Sequence, residues 1–197
     1  MRESLRIERK AKLLEAAALV FSQNGYAKTT IAQVATCAGM GKGTVYGYFK
    51  SKEELFLALF DWYGKQAMPD VDLSSAPSIQ DGLLHFTQKL LEALTEKIEM
   101  FPLTLEFWAA SASEGLRDEI KTAMKGLYDG YRATLAAMLQ QGVDSGEFKA
   151  ETPVDALASG MVCTIDALGL QYWMNTDFDI LDTGHQTIKA MLDGIKL

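Results

Sequence analysis

The chain has 197 residues, of which 48% are hydrophobic and 23% charged, and its formal net charge is −7. This composition is ordinary for a globular protein with a substantial core, and the presence of only two cysteines excludes a disulfide framework. Because no apolar run approaches the roughly 20 residues that cross a membrane, and the charged N-terminus is unlike a secretion signal, we expect a cytoplasmic protein with no membrane partner.

The charges are divided unevenly along the chain. Residues 1–52 carry nine Lys or Arg against three Glu, whereas residues 53–197 carry ten against 23 Asp or Glu. Lysine and arginine that contact phosphates release condensed counterions, which favours binding to a polyanion. A basic first quarter on an acidic body therefore indicates a nucleic-acid-binding head, although a solvated basic face would give the same count.

Two helices are predicted before the first glycine-rich stretch. Apolar residues recur at spacings of three and four from Ile7 to Phe21, which predicts a first helix that ends near Gly25. Thr29 or Thr30 can then cap a second helix over the segment IAQVATCA.

The stretch GMGKGTVYGYF raises the question of a phosphate-binding loop. A P-loop needs Ser or Thr directly after its lysine, but Lys42 is followed by Gly43, and no strand precedes the loop. The dinucleotide-binding spacing of glycines fails as well, so a nucleotide-binding enzyme is excluded. The second helix instead ends at Gly39, and a third runs from about Lys42 to Tyr48. Two short helices joined by a tight glycine turn are typical of a helix-turn-helix, whose second helix enters the DNA major groove.

Six further helices are predicted after this turn. Ser51 and Glu54 form a capping box that opens the fourth helix, and residues 68–78 are the most linker-like segment. The last five helices are predicted over about 79–94, from near 102, and over 116–142, 154–174 and 179–195. Because no convincing alternating run marks a strand, we predict an all-α fold of about nine helices.

The last two predicted helices carry a large apolar surface. Over 154–174 one face holds Leu157, Met161, Ile165, Leu168 and Tyr172, and the neighbouring face is small and apolar. A helix that is apolar over so much of its circumference is buried on two sides. This favours a homodimer through the last two helices, which would form a symmetric four-helix interface, and an intramolecular helical hairpin is the alternative.

Residues 13–60, LLEAAALVFSQNGYAKTTIAQVATCAGMGKGTVYGYFKSKEELFLALF, resemble the N-terminal domain of the TetR family of transcriptional regulators. The matching landmarks are the F…NGY…TT junction, IAQVATCAG and KGTVYGYFKSKEEL, with their spacing. Residues 116–171 resemble, less closely, the ligand-binding domain of the BetI-like branch of that family, best in GVDSGEF and DALGLQ.

The resemblance implies a helix-turn-helix DNA-binding domain in residues 1–52 and a ligand-binding and dimerisation domain in residues 53–197. It implies a transcriptional repressor that binds a pseudo-palindromic double-stranded DNA operator as a homodimer. Two recognition helices about 34–36 Å apart would read such an operator. Release is expected when a small apolar or aromatic effector fills a cavity in the helical body.

The DNA contacts are transferred from the family motif. They are Thr29, Thr30, Lys42, Gly43, Thr44, Tyr46, Tyr48 and Lys52. The threonines are expected to hold a phosphate at a helix N-terminus, and the side chains of the third helix to face the bases. Gly41 and Gly47 replace residues that are usually Ser and a larger polar residue. We therefore expect a recognition helix that is loose until DNA orders it.

The expected effector site draws on aromatic and apolar residues of the body. Its candidates are Trp62, Phe86, Phe101, Leu105, Trp108, Tyr128, Tyr131, Met161, Asp166 and Trp173. Such a lining suits an apolar ligand, and ordinary core packing is the alternative for each residue. Glu106 and Asp166 stand out because a carboxylate on a mainly apolar helix requires a partner.

No cofactor, metal site or catalytic motif is predicted. The two histidines and two cysteines are too scattered for a metal site, and the sequence shows no pattern that pairs a nucleophile with a base. One alternative is a ligand-binding or sequestering protein that has lost specific DNA binding, which only Gly41 and Gly47 favour. A helical enzyme has no motif in its support, so we predict that the chain is not an enzyme.

Overall fold

The computed structural model describes residues 2–67, 76–112 and 115–197. Its helices are α1 (Arg2–Lys28), α2 (Ile31–Cys37), α3 (Lys42–Tyr46), α4 (Lys52–Ala67), α5 (Ile79–Glu96), α6 (Phe101–Ala112), α7 (Arg117–Asp144), α8 (Val154–Met174) and α9 (Ile180–Asp193). In these ranges no strand forms, which confirms the all-α prediction. Most of the predicted linker, residues 68–75, lies outside the described residues.

The chain divides into two compact units. The first, here called the head unit, comprises Met1–Gln66 and Glu99–Met124, and the second, the body unit, comprises Ala67–Ile98 and Lys125–Leu197. The head unit therefore continues beyond residue 52 and includes α4 and α6. The boundary predicted at residue 52 concerns the DNA-binding domain alone and stays a prediction.

The core of the head unit is built around aromatic rings from three distant segments. The ring of Phe56 lies 5.0 Å from that of Phe21, 4.7 Å from that of Tyr26 and 4.8 Å from that of Phe107. Phe21 and Phe56 are fully buried. Because each buried ring contributes roughly 1.5–3 kcal/mol, this cluster holds α1, α4 and α6 together.

The first three helices follow the predicted boundaries closely. The backbone of α1 leaves the helical conformation at Gly25, where φ is 72° and ψ is 165°. Thr30 caps α2, and Gln33 completes the capping box. Gly39 supplies the turn with φ of 65°. The third helix ends at Tyr46 rather than Tyr48, because the next amides bond partly to carbonyls three residues back, which tightens the last turn.

The core of the body unit is formed by α5, α7, α8 and α9. Its fully buried members include Leu83, Leu139, Met161, Ile188 and Leu192. The helices α5 and α9 approach so closely that a methyl group added at Gly184 would overlap the side chain of Leu91. Glycine at this position therefore permits the close contact between the two helices.

The turn after α7 ties the end of that helix to the start of α5. The Glu147 carboxylate accepts the amide hydrogens of Ile79 and Gln80 at 2.8 and 2.9 Å, which satisfies two donors of the first turn of α5. Phe148 is buried against Gly142, where a methyl group would overlap its ring. The motif GVDSGEF thus has a structural explanation within the body unit.

Replacement of Gly142 by Ala should destabilise the protein by about 1–3 kcal/mol, because the added methyl displaces the Phe148 ring. The matched control is Gly126→Ala on the same helix, where no atom lies within 4 Å of the added methyl. That change should raise the free energy of unfolding by up to about 1 kcal/mol. Denaturant unfolding at one protein concentration measures both, and equal effects of the two variants would contradict the packing argument.

Candidate nucleic-acid interface

The third helix presents a polar face to solvent. Lys42, Gly43, Thr44 and Tyr46 are all exposed, whereas Val45 between them is fully buried. The Tyr46 side chain is 48% exposed, and the Lys42 ammonium lies 5.8 Å from the centre of its ring. These side chains give α3 hydrogen-bond donors, acceptors and an aromatic edge on one accessible surface, as direct reading of bases requires.

The start of α3 has no side chain that caps it. Gly41 occupies the N-cap position in an extended conformation, with φ of −71° and ψ of 144°, and makes no side-chain hydrogen bond. Gly47 closes the helix in the right-handed region, with φ of −70°. Only five residues lie between these two glycines, so α3 has little local stability of its own.

The two threonines before α2 lie in different environments. Thr30 is exposed and caps α2, with its hydroxyl oxygen 3.3 Å from the Gln33 amide nitrogen. Thr29 is only 2% exposed, and its hydroxyl donates to the Gly25 carbonyl at 2.8 Å. The expectation that the Thr29 hydroxyl holds a DNA phosphate is therefore corrected, because this group is buried and already bonded.

Lys52 contacts the end of α1. Its ammonium donates to the Tyr26 carbonyl at 2.9 Å and lies 4.3 Å from the centre of the Tyr26 ring. Lysine at this place neutralises the carbonyl end of α1. Tyr48 is half-buried, with its ring 6.4 Å from that of Phe49. Lys52 therefore contributes to the packing of the head unit, and Tyr48 lies two residues after the end of α3.

Tyr26 is a structural residue that sequence reasoning did not single out. Its hydroxyl donates to the Glu53 carboxylate at 3.0 Å. Burial, and then the hydrogen bond and charge of Glu53, raise the pKa of the Tyr26 hydroxyl well above its ordinary value. The tyrosine stays neutral and joins the start of α4 to the end of α1. Its place directly after Gly25 was the available signal.

Glu106, on α6, contacts the same junction between α1 and α4. Its carboxylate accepts the Tyr26 amide hydrogen at 2.7 Å. A methyl group at Gly25 would lie 2.9 Å from the nearer carboxylate oxygen. The sequence indicated that this carboxylate needs a partner, and the partner is a main-chain amide of the head unit rather than a ligand.

The predicted effector residues are divided between the two units. Trp62, Phe101, Leu105 and Trp108 lie in the head unit, and Phe86, Tyr128, Tyr131, Met161, Asp166 and Trp173 lie in the body unit. Phe86, Phe101 and Met161 are buried core residues, which favours the packing alternative for these three. Trp173 is 39% exposed.

Asp166, Tyr128 and Tyr131 come together within the body unit. Burial raises the pKa of the Asp166 carboxyl above its ordinary value, and the Tyr128 hydroxyl that donates to it offsets part of the rise. The rings of Tyr128 and Tyr131 are nearly perpendicular, with centres 6.4 Å apart. A desolvated carboxylate that accepts from Tyr128, whose ring packs on that of Tyr131, can receive a further hydrogen-bond donor or a cation.

A cleft of about 290 Å³ opens elsewhere in the body unit. It lies between the start of α5 and the end of α7 and is lined by Ala76, Pro77, Ser78, Ile79, Gly82, Met138, Gln141, Ser145 and Glu147. None of the predicted effector residues lines it. The main-chain donors at the start of α5 are already bonded to Glu147 and Ser78, so the cleft offers no anion site there.

Two kinds of site are absent from the part of the chain that the structure describes. There, no three His, Cys, Asp or Glu side chains are grouped so that they could hold a metal ion. None of the helices in that part is both long and apolar enough to cross a membrane.

Two models of known protein families match the sequence. The model described as bacterial regulatory proteins, tetR family, matches residues 13–59. The model described as BetI-type transcriptional repressor, C-terminal, matches residues 80–196. The first match covers the helix-turn-helix and the second covers most of the body unit.

Individual proteins are similar over most of the chain. The uncharacterized HTH-type transcriptional regulator YhgD of Bacillus subtilis is 31% identical over 143 residues, which are 73% of this chain and 73% of that protein. The fatty acid metabolism regulator protein of the same species is 25% identical over 187 residues, 93% of this chain and 94% of that protein. The crystal structure of the regulator FadR from Bacillus subtilis in complex with stearoyl-CoA shares the fold, with a TM-score of 0.75 at 24% identity over 92% of this chain and 96% of that chain.

The main-chain amides of residues 45–48 should exchange hydrogen rapidly in the free protein and slowly on DNA, because α3 is short and has no side-chain cap. Gly43→Ala adds a methyl with no atom within 4 Å and should stabilise α3 by about 1 kcal/mol, which slows exchange about fivefold. Hydrogen exchange read by mass spectrometry tests this, with Gly126→Ala as control. Strong protection of these amides in the free parent protein would show that α3 is already ordered.

Asp166→Asn should raise the unfolding temperature at pH 7. Because burial makes the pKa of this carboxyl higher in the folded protein than in the unfolded chain, the ionised group lowers stability above the unfolded value of about 4. The gain should disappear as the pH falls below that value. Tyr128→Phe removes the donor to the carboxylate and should lower the unfolding temperature at pH 7. A loss of stability in Asp166→Asn at pH 7 would contradict the argument.

Proposed function

The chain belongs to the TetR family of bacterial transcriptional regulators and is therefore a regulator rather than an enzyme, and we propose that it is a cytoplasmic repressor that binds a pseudo-palindromic operator as a homodimer. The observation that carries this proposal is the exposed polar face of α3, with its core side, Val45, fully buried in the head unit. The second family model is described as that of a transcriptional repressor, which supports repression rather than activation.

The proposed DNA-binding domain is residues 1–52, and its proposed contacts are the predicted set without the Thr29 hydroxyl. Lys42, Thr44 and Tyr46 would read base edges from α3, and Gly43 lets the helix approach the groove. Thr30, Tyr48 and Lys52 would hold phosphates on either side. Thr30 is exposed at the start of α2, where the helix dipole favours an anion, and its hydroxyl would exchange its Gln33 partner for a phosphate.

The proposed dimer forms through α8 and α9. Cys163, Ala167 and Met174 recur at helical spacing on α8 and are exposed, and Met174 is 64% exposed. Trp173 adds a large exposed ring at the same end of the helix. Apolar side chains in this number on one exposed helix face favour a partner helix, and a second copy supplies the same face in a two-fold arrangement. The proposed ligand-binding and dimerisation domain is residues 53–197. Within it α8 packs against α9 of the same chain, so an intramolecular helical hairpin and a dimer through its outer face are compatible.

The proposed effector is a small apolar or aromatic molecule bound in the body. The FadR structure in complex with stearoyl-CoA supports only an apolar part of the effector, since the acyl chain of that ligand is apolar. The Tyr128 and Asp166 pair adds that the effector carries a hydrogen-bond donor or a positive charge, which would be drawn to the desolvated carboxylate. Effector binding would favour a separation of the two α3 helices that no longer fits the operator.

A sequestering protein without specific DNA binding is the second candidate. It is favoured by the uncapped five-residue α3 between Gly41 and Gly47. The two candidates differ in one measurable quantity, the ratio of affinities for an operator and for random duplex of the same length. A repressor gives a ratio far above one, whereas a sequestering protein gives a ratio near one at every salt concentration.

Tyr46→Ala should lower the affinity for the DNA that flanks the protein's own gene by about 5- to 150-fold, because one base contact contributes roughly 1–3 kcal/mol. Its affinity for random duplex and its dimerisation should stay unchanged. Fluorescence anisotropy over a salt series measures the first two, and sedimentation measures the third. The control is His85→Ala, an exposed change in the body unit. Failure of the parent protein to form any specific complex at low salt would reject the repressor.

A further inference from the structure

The first turns of α1 form a helical arm that precedes the first buried core residue of the helix. Residues 3–10 are all exposed, and Leu13 is the first fully buried residue of the helix. At 1.5 Å per residue, the eleven residues of the arm, 2–12, extend about 16 Å. We call this segment the basic arm, since it carries five Lys or Arg and two Glu.

The arginines of the basic arm continue the face of α1 that packs on the head unit. Arg6 and Arg9 lie seven and four residues before Leu13, and the buried Ala17 and Val20 lie four and seven residues after it. Residues at these spacings share one face of a helix. The face that covers the core of the head unit therefore becomes an arginine face where the core ends.

The basic arm leaves the head unit beside the end of α3. The Lys10 ammonium lies 5.8 Å from the centre of the Phe49 ring, and Phe49 follows α3 by three residues. Lys50, next in the chain, is exposed. The arm thus adds positive charge near the C-terminal end of α3. This charge is additional to that of the helix-turn-helix itself.

The charges of the basic arm are available to an external partner. Among the described residues, Arg6, Arg9 and Lys10 take part in none of the ion pairs. Exposed arginines without an ion-pair partner attract a polyanion. A lipid surface would need a continuous apolar face as well, but the exposed Leu5 and Ile7 are two positions apart and lie on opposite sides of the helix.

We propose that the basic arm binds the phosphates of the DNA that flanks the base pairs read by α3, with Arg6 and Arg9 as the contacting residues. This rests on the proposed function and extends it, since these contacts lie outside the helix-turn-helix. Phosphate contacts carry no sequence information, so the arm raises affinity for operator and random duplex alike. Its effect is read in the dependence of affinity on salt.

The test compares the parent protein with Arg6→Ala/Arg9→Ala on two duplexes, the DNA flanking its own gene and a random sequence. The slope of log affinity against log salt changes by about 0.9 for each phosphate contact, hence by about 3.6 for a dimer that loses four. Between 50 and 200 mM salt, the affinity of the parent protein divided by that of the double alanine variant should therefore fall about 150-fold. Unfolding should be unchanged, because both arginines are exposed.

Two matched variants sharpen the test. Lys97→Ala/Lys121→Ala removes the same charge from two exposed positions outside the arm and should leave the slope as in the parent protein. Arg6→Lys/Arg9→Lys keeps the charge and should restore the slope. If it does not, the arginines read base edges and the phosphate proposal is wrong.

The outcomes separate this inference from the proposed function. If the parent protein binds no DNA, the proposed function fails. If it binds the operator and the double alanine variant keeps the parent slope, only the arm proposal fails. The arm proposal would also be overturned, in favour of a membrane surface, if the double alanine variant lost binding to vesicles of anionic phospholipid while the salt dependence of its DNA affinity stayed unchanged.

Discussion

The break of α1 at Gly25 is the constraint on which the rest of the head unit depends. The left-handed φ of 72° turns the chain out of the helix and brings the Tyr26 amide to the Glu106 carboxylate, 2.7 Å away. A side chain at Gly25 would be strained by that φ and would press on the same carboxylate. At the same point the Lys52 ammonium donates to the Tyr26 carbonyl, and the Glu53 carboxylate accepts a hydrogen bond from the Tyr26 hydroxyl. One junction thereby fixes α1, α4 and α6 together, and α2 starts directly after it.

The recognition helix differs from this junction in its local stability. The junction combines a buried aromatic cluster with hydrogen bonds to charged groups, which are among the stronger polar contacts in proteins. The helix α3 has five residues, no side-chain cap and one buried anchor, Val45. Ordering of α3 on DNA would cost part of the binding free energy. The contacts proposed for the arm would carry no such cost, because the arm is already helical.

Most of the fold could be predicted because its determinants are local. The period of apolar residues located the helices, and the ends of α8 agree with the prediction at Val154 and Met174. Glycine turns and the Thr30 cap gave the junctions of the helix-turn-helix. The end of α3 was missed by two residues, because whether Gly47 and Tyr48 continue a helix depends on competition between bonds three and four residues back, which residue type does not decide.

The sequence by itself determined the helix order, the charge of the head, the exposed character of Lys42 and Tyr46 and the need of two carboxylates for partners. Only the tertiary structure decided which groups bond to those carboxylates. Glu106 finds an amide 80 positions away and Asp166 finds the Tyr128 hydroxyl, while the Thr29 hydroxyl turns inward to Gly25. These outcomes depend on which helices pack side by side. Packing is set by the summed burial of many side chains, and a spacing along the chain does not contain that information.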